Sequence, residues 1–435
     1  MEEPAYSIDQ QVKYLFRGTA LNDETRERME GELRERLQQG RPLRVKLGLD
    51  PSKPFLHIGH LAPLLALKRF ANMGHRTYLL LGGFTAMIGD PAGRKRRTPP
   101  LSETDVANNL AIYAQEIFRV LDPEKTTVVN NAVWFSNFRL IDFFLEAAKV
   151  TLAKILEHGD FKDRFDARRE IGLQELLYPV AQAIDSMVLC AAATGQENDP
   201  QAYVDALRDK NAFCDVEVGG KDQLFNFTLT RSLMDARGLP PEIFVVTPLI
   251  TGRDRQKMGK SDDRGNVVRL NDEPSDIYNN IMAMDDEVIL PYLASITTIS
   301  DDELEIIQRS MLSGKLAKVE AKQRLACEVV TLIHGREKAH QAQDEFDARR
   351  YGRVSPERDF VVAAETLQTD ILISDLVYAA GLANSKSDAW RLVEQGGIHL
   401  DGRRIASGEK IVVKDGMVLQ RGQGRDAAAV RLRVN

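Results

Sequence analysis

The stretch DPSKPFLHIGHL, residues 50–61, places His57 and His60 three positions apart just before an apolar run. Such a pair could bind a metal, could begin and pack an ordinary helix, or could line a site for a nucleotide's phosphates. A zinc site needs further ligands, and no cysteine or clustered histidine lies nearby in the sequence. The free N–H groups of a helix start attract phosphate, and imidazoles there can stabilise charge on a transferring phosphoryl group.

A second segment suited to phosphate lies about 200 residues later, in KMGKS at 257–261. It could be a solvated loop, or its two ammonium groups could close over a pyrophosphate. Together the two segments resemble the HIGH and KMSKS signatures of class I aminoacyl-tRNA synthetases, with Gly259 in place of the central serine. The resemblance implies a catalytic set around the pyrophosphate of ATP: Ser52, His57, His60, Arg94, Lys257, Lys260 and Ser261.

Two further segments, TAMIGDPAGR at 85–94 and YPVAQAID at 178–185, resemble the tyrosyl-tRNA synthetase branch of that class. The spacing of Tyr178, Gln182 and Asp185 predicts one shared helical face, which could be either a solvent-exposed stripe or a pocket wall. The resemblance implies the pocket, in which Asp185 accepts a hydrogen bond from the phenol and three residues hold the ammonium. The implied tyrosine-binding residues are Thr85, Asp90, Tyr178, Gln182 and Asp185, of which Asp90, Tyr178 and Gln182 meet the ammonium.

The segment DVEVGGKDQLFN, 215–226, matches a further block of the same branch. Its acid–amide pair after two glycines could also be a turn with a helix cap. The resemblance implies that Asp222 pairs with the ribose hydroxyls and that Gln223 lies near the reacting carboxylate. The implied residues for ATP and the adenylate are Gly48, Asp50, Gly220, Asp222, Gln223 and Lys260.

Three features depart from the branch. Lys46 stands where many relatives have a tyrosine that also contacts the phenol, and Lys221 stands where a small hydroxyl residue is usual. Residues 190–213 interrupt a segment that is much shorter in relatives. Their AYVDALRD core predicts a polar helix, so we expect a surface protrusion that leaves the pocket intact, or an effect on dimerisation.

The elements that must position these residues alternate between strand and helix. Strands are predicted at 44–49, ending at Gly48, and at 77–84 and 242–250, with helices from His57 to Gly74, around 178–192 and around 223–237. This alternation predicts an α/β fold with a Rossmann-like, mostly parallel sheet. From about 275 to 350 only helices are predicted, and a polar, turn-rich stretch follows. The expected domains are a catalytic domain at 1–270, an α-helical tRNA-binding domain at 271–355, a linker at 356–369 and a C-terminal α+β RNA-binding domain at 370–435.

The last of these segments is basic within an acidic chain. Residues 371–435 hold ten Lys/Arg against seven Asp/Glu, whereas the whole chain has a net charge of −6. Basic residues there suit contact with a phosphate backbone, although a small dimerisation domain is the alternative. The segments AGLANSKSDA and GGIHLDG resemble an RNA-binding domain shared with a ribosomal protein. The candidate RNA-binding residues are Lys386, Arg391, Arg403 and Arg404.

Composition restricts the class of protein. With 435 residues, 43% of them hydrophobic, the chain can build a large core and suits two or three domains. Its three cysteines include no CxxC pair, which argues against a disulfide framework or a thiolate zinc site. The sequence contains no secretory signal and no long apolar run, so we expect a cytoplasmic protein without a membrane span.

The expected function is ATP-dependent ligation of L-tyrosine to tRNA(Tyr), with Mg²⁺ arriving on ATP and no tightly bound protein metal. The partners implied are tRNA(Tyr), L-tyrosine, ATP and a second copy in a homodimer. Two alternatives stay open from the residues alone. One is a tryptophanyl-tRNA synthetase, and the other is a catalytically silent paralogue that only binds structured RNA.

Overall fold

A computed structural model describes residues 6–91, 101–157, 159–189, 199–208, 213–252, 258, 267–351, 358–362, 371–405, 408–422 and 427–434. Within it the chain forms two compact units. The first comprises Met1–Asp272 with Asn280–Ile333, and the second comprises Glu273–Asn279 with His334–Asn435. The predicted domain boundaries remain predictions.

The first unit is built on a parallel five-stranded sheet in the order β3-β2-β1-β4-β5. Its strands are apolar because helices cover both faces of such a sheet, as the burial of almost every residue in β2 and β5 illustrates. The predicted α/β class with a Rossmann-like sheet is thereby confirmed. The strands are β1 Arg44–Leu49, β2 Arg76–Leu81, β3 Thr126–Asn130, β4 Val216–Gly220 and β5 Ile243–Thr247.

Helices connect and cover these strands. The helix predicted from His57 begins as a 3-10 turn at Ile58–His60, continues as α3 and ends before Gly74, whose φ of +80° suits a glycine. Helices up to the last strand of the sheet are α1 Ile8–Leu15, α2 Asp23–Gln38, α3 Leu61–Asn72, α4 Thr85–Ile88, α5 Glu103–Ile117, α6 Ala132–Phe135, α7 Leu140–Ala147, α8 Leu152–Leu156, α9 Gly159–Asp166, α10 Leu173–Val188, α11 Pro200–Ala206 and α12 Leu224–Ala236. Those that follow are α13 Pro274–Met282, α14 Ile289–Ile296, α15 Asp301–Leu312, α16 Lys318–His334 and α17 Arg336–Tyr351.

The second unit contains a mixed sheet in the order β6-β12-β11-β8-β9 and the two-stranded pair β10-β7. Two helices pack on the larger sheet through a core that includes Ile373, Val377, Ile398 and Leu419, all fully buried. The elements are β6 Arg358–Val362, β7 Ile371–Leu372, α18 Ile373–Ala379, α19 Lys386–Glu394, β8 Ile398–Leu400, β9 Arg403–Arg404, β10 Lys410–Ile411, β11 Val418–Arg421 and β12 Ala428–Val434.

The structure adds one strand within the predicted linker and corrects one sequence prediction. Residues 358–362, assigned to the linker, form β6 and pair in parallel with β12, a partner about 70 residues later that no local pattern could indicate. The stretch 190–213 was expected to protrude, yet its helix α11 buries Tyr203 and Ala206, and Leu207 just after it is buried as well. These residues recur at the i, i+3 and i+4 positions of one helical face, so the described residues 199–208 join the core.

Candidate active site

Several of the predicted site residues that the structure describes lie at the carboxyl ends of the parallel strands. Asp50 follows β1, Thr85 begins α4 after β2, and Asp222 follows β4, while Asn131, which was not predicted, follows β3. The strand order reverses between β1 and β4, and in open α/β sheets ligands bind in the crevice at this switch point. The fold therefore brings together residues that are far apart in the sequence.

A first hydrogen-bonded chain connects two carboxylates of the crevice. Asp50 accepts hydrogen bonds from Thr85 Oγ1 at 2.7 Å and from the Tyr178 hydroxyl at 2.9 Å. The Asn131 amide donates both to Thr85 Oγ1 at 3.0 Å and to Asp185 Oδ2 at 3.3 Å. A Cβ on Gly82 would lie 1.9 Å from Asp50 Oδ1, so this approach requires glycine.

Asp185 is buried, with 2% of its surface exposed, and it accepts a second hydrogen bond from Trp134 Nε1 at 3.0 Å. Burial raises the pKa of Asp185 to about 7, against the opposing effects of Lys46 and of the hydrogen bonds from Asn131 and Trp134. Tyr178 is only 6% exposed, so the solvent-exposed stripe is excluded as an interpretation of this helical face.

Lys46 does not replace a phenol contact but forms a buried ion pair. Its ammonium lies 3.1 Å from Glu217 Oε1 and donates to the Gln182 carbonyl at 3.2 Å, and both charged side chains are 1% exposed. Burial alone would lower the pKa of Lys46, but the carboxylates of Glu217, Glu242 and Asp185 raise it on balance, so the ammonium stays charged. Burial and the charge of Glu217 raise the pKa of Glu242 well above its usual range.

A second hydrogen-bonded chain runs from this ion pair to Asp90. Gln182 donates to Glu217 Oε1 at 2.9 Å and accepts from Asn226 Nδ2 at 2.9 Å. The same Asn226 nitrogen donates to Gln223 Oε1 at 3.0 Å, and Gln223 Nε2 donates to Asp90 Oδ2 at 2.7 Å. Asp90, Gln182 and Gln223, which the sequence singled out, are thus held in one array by Asn226.

The rings of the two histidines lie against each other at the start of α3 in a tilted arrangement, with centroids 4.0 Å apart and an interplanar angle of 55°. His57 Nδ1 accepts from the Gly59 N–H, and His60 Nδ1 accepts from the His57 N–H, each at 3.1 Å. A Cβ on Gly59 would lie 2.8 Å from the His57 ring, so the tight turn uses the missing side chain. These hydrogen bonds fix the orientation of both rings at the start of the helix. Among the remaining predicted residues, Ser52 is partly buried just after Asp50, and Gly48 is exposed in β1.

The described residues within and after the lysine-rich segment lie close to the histidines. Lys257, Gly259, Lys260 and Ser261, and likewise Arg94, lie outside the described residues. Met258 is described and buried, and its sulfur accepts from the Val268 N–H at 3.5 Å. The Val268 carbonyl in turn accepts from the Ile58 N–H at 2.9 Å, and His57 and Arg269 form a β-bridge. The described flanks of KMGKS therefore lie beside the HIGH turn.

Sequence reasoning missed Asn131, Trp134, Glu217 and Asn226. For Glu217 a signal existed, because a lysine in a buried strand requires a counter-charge, and Lys46 and Glu217 are direct partners in the register of β1 and β4. Asn131 directly follows β3 at the carboxyl edge of the sheet, where a polar residue could have indicated a ligand site. Trp134 and Asn226 have no comparable signal in the sequence. Lys221, noted as a departure, is exposed in the turn Lys221–Gln223.

The four candidate RNA-binding residues lie on the second unit, and each has a partner within the chain. Lys386 lies 3.5 Å from Asp375, Arg391 lies 2.8 Å from Asp388, Arg403 pairs with Glu409, and Arg404 donates to the Gln395 carbonyl at 3.2 Å. Exposed pairs of this kind contribute at most about 1 kcal/mol, so a phosphate can displace them.

No group of three or more His, Cys, Asp or Glu side chains in the described ranges could hold a metal ion. Likewise, no helix in that part of the chain is both long and apolar enough to cross a bilayer.

Comparison with known proteins places the chain. Residues 38–349 match the family model "tRNA synthetases class I (W and Y)". A tyrosine–tRNA ligase of Nitratidesulfovibrio vulgaris is 36% identical, over 93% of this chain and 96% of that protein. One from Thermotoga maritima is also 36% identical, over 89% of this chain and 90% of that protein. The tyrosyl-tRNA synthetase structure of Archaeoglobus fulgidus with L-tyrosine has a TM-score of 0.57 at 19% identity, and it covers 77% of this chain and 99% of its own. At that identity the structural likeness shows the fold alone.

Proposed function

The chain belongs to the class I tRNA synthetases of the tryptophan and tyrosine type and is a ligase that forms tyrosyl-tRNA, and we propose that the crevice described above is the site where it activates tyrosine. The observation that supports this most is Asp185, a buried carboxylate held by two donors and placed next to the network of Asp50 and Tyr178. The proposed setting is the cytoplasm, with tRNA(Tyr), L-tyrosine and ATP as partners.

In the proposed first step the tyrosine carboxylate attacks the α-phosphate of ATP. A bond forms from the carboxylate oxygen to that phosphorus while the bond to the bridging oxygen breaks, so pyrophosphate leaves and tyrosyl-adenylate remains. The enzyme needs no nucleophile of its own, because the substrate supplies one. Catalysis comes from alignment and from stabilising charge in the transition state. A hydroxyl oxygen of the tRNA's terminal ribose then attacks the tyrosyl carbonyl carbon and loses its proton. The bond from that carbon to the phosphate oxygen breaks, so AMP leaves and the tyrosyl ester remains on the tRNA.

Each part of the crevice has a proposed role in that step. Asp185 accepts the phenol O–H. The substrate ammonium is received by Asp90 and Gln182 of the second hydrogen-bonded chain and by Tyr178 of the first. Thr85 lines the pocket beside Asp50. Residues for the nucleotide are Gly48, Asp50, Gly220, Asp222, Gln223 and Lys260. Those around the pyrophosphate are Ser52, His57, His60, Arg94, Lys257, Lys260 and Ser261. Mg²⁺ belongs to the ATP complex in this proposal.

The Lys260→Ala variant tests the lysine-rich segment. We expect at least about a tenfold slower formation of tyrosyl-adenylate in single-turnover measurements, because one cation near the developing charge is lost. The dissociation constant for tyrosine should change less than twofold, since Lys260 is proposed to meet only the pyrophosphate. Equal losses in rate and in tyrosine affinity would contradict this role.

A homodimer is also proposed, and an apolar surface on α7 supports it. Leu140, Ile141, Phe144 and Leu145 are between 50% and 73% exposed. Contiguous exposed apolar residues of this size mark an interface more often than free surface. The second copy of this chain is the partner that a closed, two-fold arrangement needs.

The Leu145→Asp variant tests the dimer. We expect sedimentation of a monomer near 49 kDa instead of a dimer, because a carboxylate at the centre of an apolar interface is desolvated without a partner. The matched control is Leu312→Asp, which places the same charge at an 80% exposed leucine of α15. A wild-type monomer, or equal behaviour of both variants, would contradict the proposal.

The tryptophan-specific alternative is tested by pyrophosphate exchange. With ATP and labelled pyrophosphate, we expect exchange with tyrosine and only background with tryptophan or with no amino acid.

The proposed domains follow from the same resemblance, with catalysis at 1–270, tRNA contacts at 271–355 and RNA binding at 370–435. For the last of these, simultaneous substitution of Lys386, Arg391, Arg403 and Arg404 should weaken binding of tRNA and leave the exchange reaction intact.

A further inference from the structure

The stretch 190–213, where this chain departs from its branch, contributes a buried aromatic ring to the core beneath the site. Its described part contains α11, whose start is capped by Asp199 accepting from the Gln201 N–H at 3.0 Å. Tyr203 is fully buried and belongs to the same core cluster as Trp134, Ile184 and Met187. Helix α11 therefore packs into the same core as α6 and α10.

The ring of Tyr203 lies directly against the indole of Trp134. Their centroids are 4.7 Å apart with an interplanar angle of 32°, whereas the ring of Phe135 is 6.3 Å from the same indole. Trp134 is itself fully buried, and its Nε1 donates to Asp185 Oδ1 at 3.0 Å. One side chain thus separates the ring of Tyr203 from the carboxylate.

Trp134 needs such support because its own element is short. Helix α6 spans the four residues Ala132–Phe135, and no side-chain hydrogen bond caps its start. An indole on so short a helix takes its orientation from the side chains packed around it. If the facing ring is removed, the indole can rotate into the space left behind, and the donor moves away from Asp185.

Helix α11 is in turn fixed at its end. The Leu207 carbonyl accepts a hydrogen bond from Arg237, and the Arg237 guanidinium also pairs with the buried carboxylate of Glu146 in α7. Buried contacts of this kind hold α11 against the core, so Tyr203 presents a fixed surface and not a mobile one.

We propose that Tyr203 is a positioning residue for tyrosine recognition: its ring fixes the Trp134 indole in the orientation from which Nε1 donates to Asp185. The inference rests on the proposed role of Asp185 as the acceptor of the substrate phenol. Helix α11, in the described part of the stretch 190–213, thereby contributes to the selectivity for tyrosine. Tyr203 does not touch the substrate in this proposal.

The test compares Tyr203→Ala, Tyr203→Phe and Val204→Ala in pyrophosphate exchange with tyrosine and with phenylalanine. Tyr203→Ala should raise the KM for tyrosine about tenfold, lower the ratio of kcat/KM for tyrosine over phenylalanine about tenfold and leave the KM for ATP within twofold. Tyr203→Phe keeps the ring and should keep the ratio within twofold. Val204 is buried in the same helix but lies outside the Trp134 cluster, so its variant is the matched control and should also keep the ratio.

A second measurement covers the case in which Tyr203→Ala does not fold. The chain has two tryptophans, so in a Trp390→Phe background Trp134 is the sole reporter of fluorescence. Tyr203→Leu, which fills most of the space without the ring face, should shift the emission of Trp134 and lower the tyrosine selectivity together. Unchanged selectivity in a folded Tyr203→Ala or Tyr203→Leu protein overturns the proposal, as does an equal loss in Val204→Ala. Asp185→Ala in the same assay distinguishes failure of the proposed site from failure of the role of Tyr203. If Asp185→Ala retains the selectivity for tyrosine, the proposed site is wrong. If Asp185→Ala loses the selectivity and the Tyr203 variants retain it, only the role of Tyr203 is wrong.

Discussion

Replacing Asp185 with alanine is expected to reduce the selectivity for tyrosine over phenylalanine by about three orders of magnitude or more. A pocket built to pair a hydroxyl rejects a substrate that lacks one, because the pairing group would stay buried without a partner. For tyrosyl-tRNA synthetase a discrimination of about 10⁵ between tyrosine and phenylalanine is known, so this figure describes that enzyme in general. In this chain Asp185 is a pairing group of this kind, because it is only 2% exposed and accepts hydrogen bonds from Asn131 and Trp134.

The measurement is the ratio of kcat/KM for the two amino acids in pyrophosphate exchange. Asp185→Asn serves as the graded control, because it keeps the volume and one acceptor oxygen but removes the charge, and we expect an intermediate ratio. The KM for ATP should stay within twofold in both variants. A ratio that stays near the wild-type value in Asp185→Ala would show that another group recognises the phenol.

The pKa of Asp185 adds a second consequence. In the free protein this pKa is about 7, since burial raises it and the ammonium of Lys46 lowers it. A phenol O–H donor favours the ionised carboxylate, so tyrosine binding below pH 7 must release a proton, and tyrosine affinity falls as the pH drops from 7 toward 5.5. Calorimetry in buffers of different ionisation enthalpy measures that proton. Asp185→Asn should release none.

Replacing Lys46 with methionine is expected to lower the free energy of unfolding by about 3 kcal/mol, because removal of one partner leaves a buried charge on Glu217 without compensation. Glu217 is 1% exposed and lies beside Glu242, whose pKa is raised by burial, so water cannot replace the lost ammonium. The same change should raise the pKa of Asp185 above its present value and weaken tyrosine binding at neutral pH. Urea unfolding followed by Trp134 emission in the Trp390→Phe background reports on this unit.

Two controls separate the ion pair from a general effect of losing a buried lysine. Lys68→Met removes an ammonium that donates to the Val120 carbonyl at 2.8 Å, and we expect a loss of only about 1 kcal/mol. The double variant Lys46→Met with Glu217→Gln keeps the acceptor for Gln182 and removes both charges, so it should recover a large part of the loss. Additive effects of the two single changes would show that the pair is not coupled.

Much of the fold and of the site followed from local sequence patterns. The strand at Arg44–Leu49, the turn at His57–His60 and the face shared by Tyr178, Gln182 and Asp185 are set by periodicity and by short motifs, and these patterns need no knowledge of distant partners. The resemblance to a known branch then assigned a role to each of these positions. The structure places the described ones along a single crevice.

The remainder depends on contacts between distant segments. Lys46 was seen only as a departure, because its partner Glu217 lies more than 170 residues away on a neighbouring strand. The polar composition of residues 190–213 suggested a protrusion, since three buried side chains in a short helix are a weak signal. Strand β6 could not be predicted for the same reason, because its hydrogen bonds go to β12 near the end of the chain.

The central claim is that one crevice at the switch point of the sheet holds tyrosine by its phenol and its ammonium. A crystal structure with a non-hydrolysable analogue of tyrosyl-adenylate tests it most directly. The account predicts the phenol oxygen within about 3 Å of an Asp185 oxygen, the ammonium beside Tyr178, Gln182 and Asp90, and the phosphate next to the turn of His57 and His60. An analogue bound with its phenol away from Asp185, or with its phosphate remote from the histidines, would contradict the account.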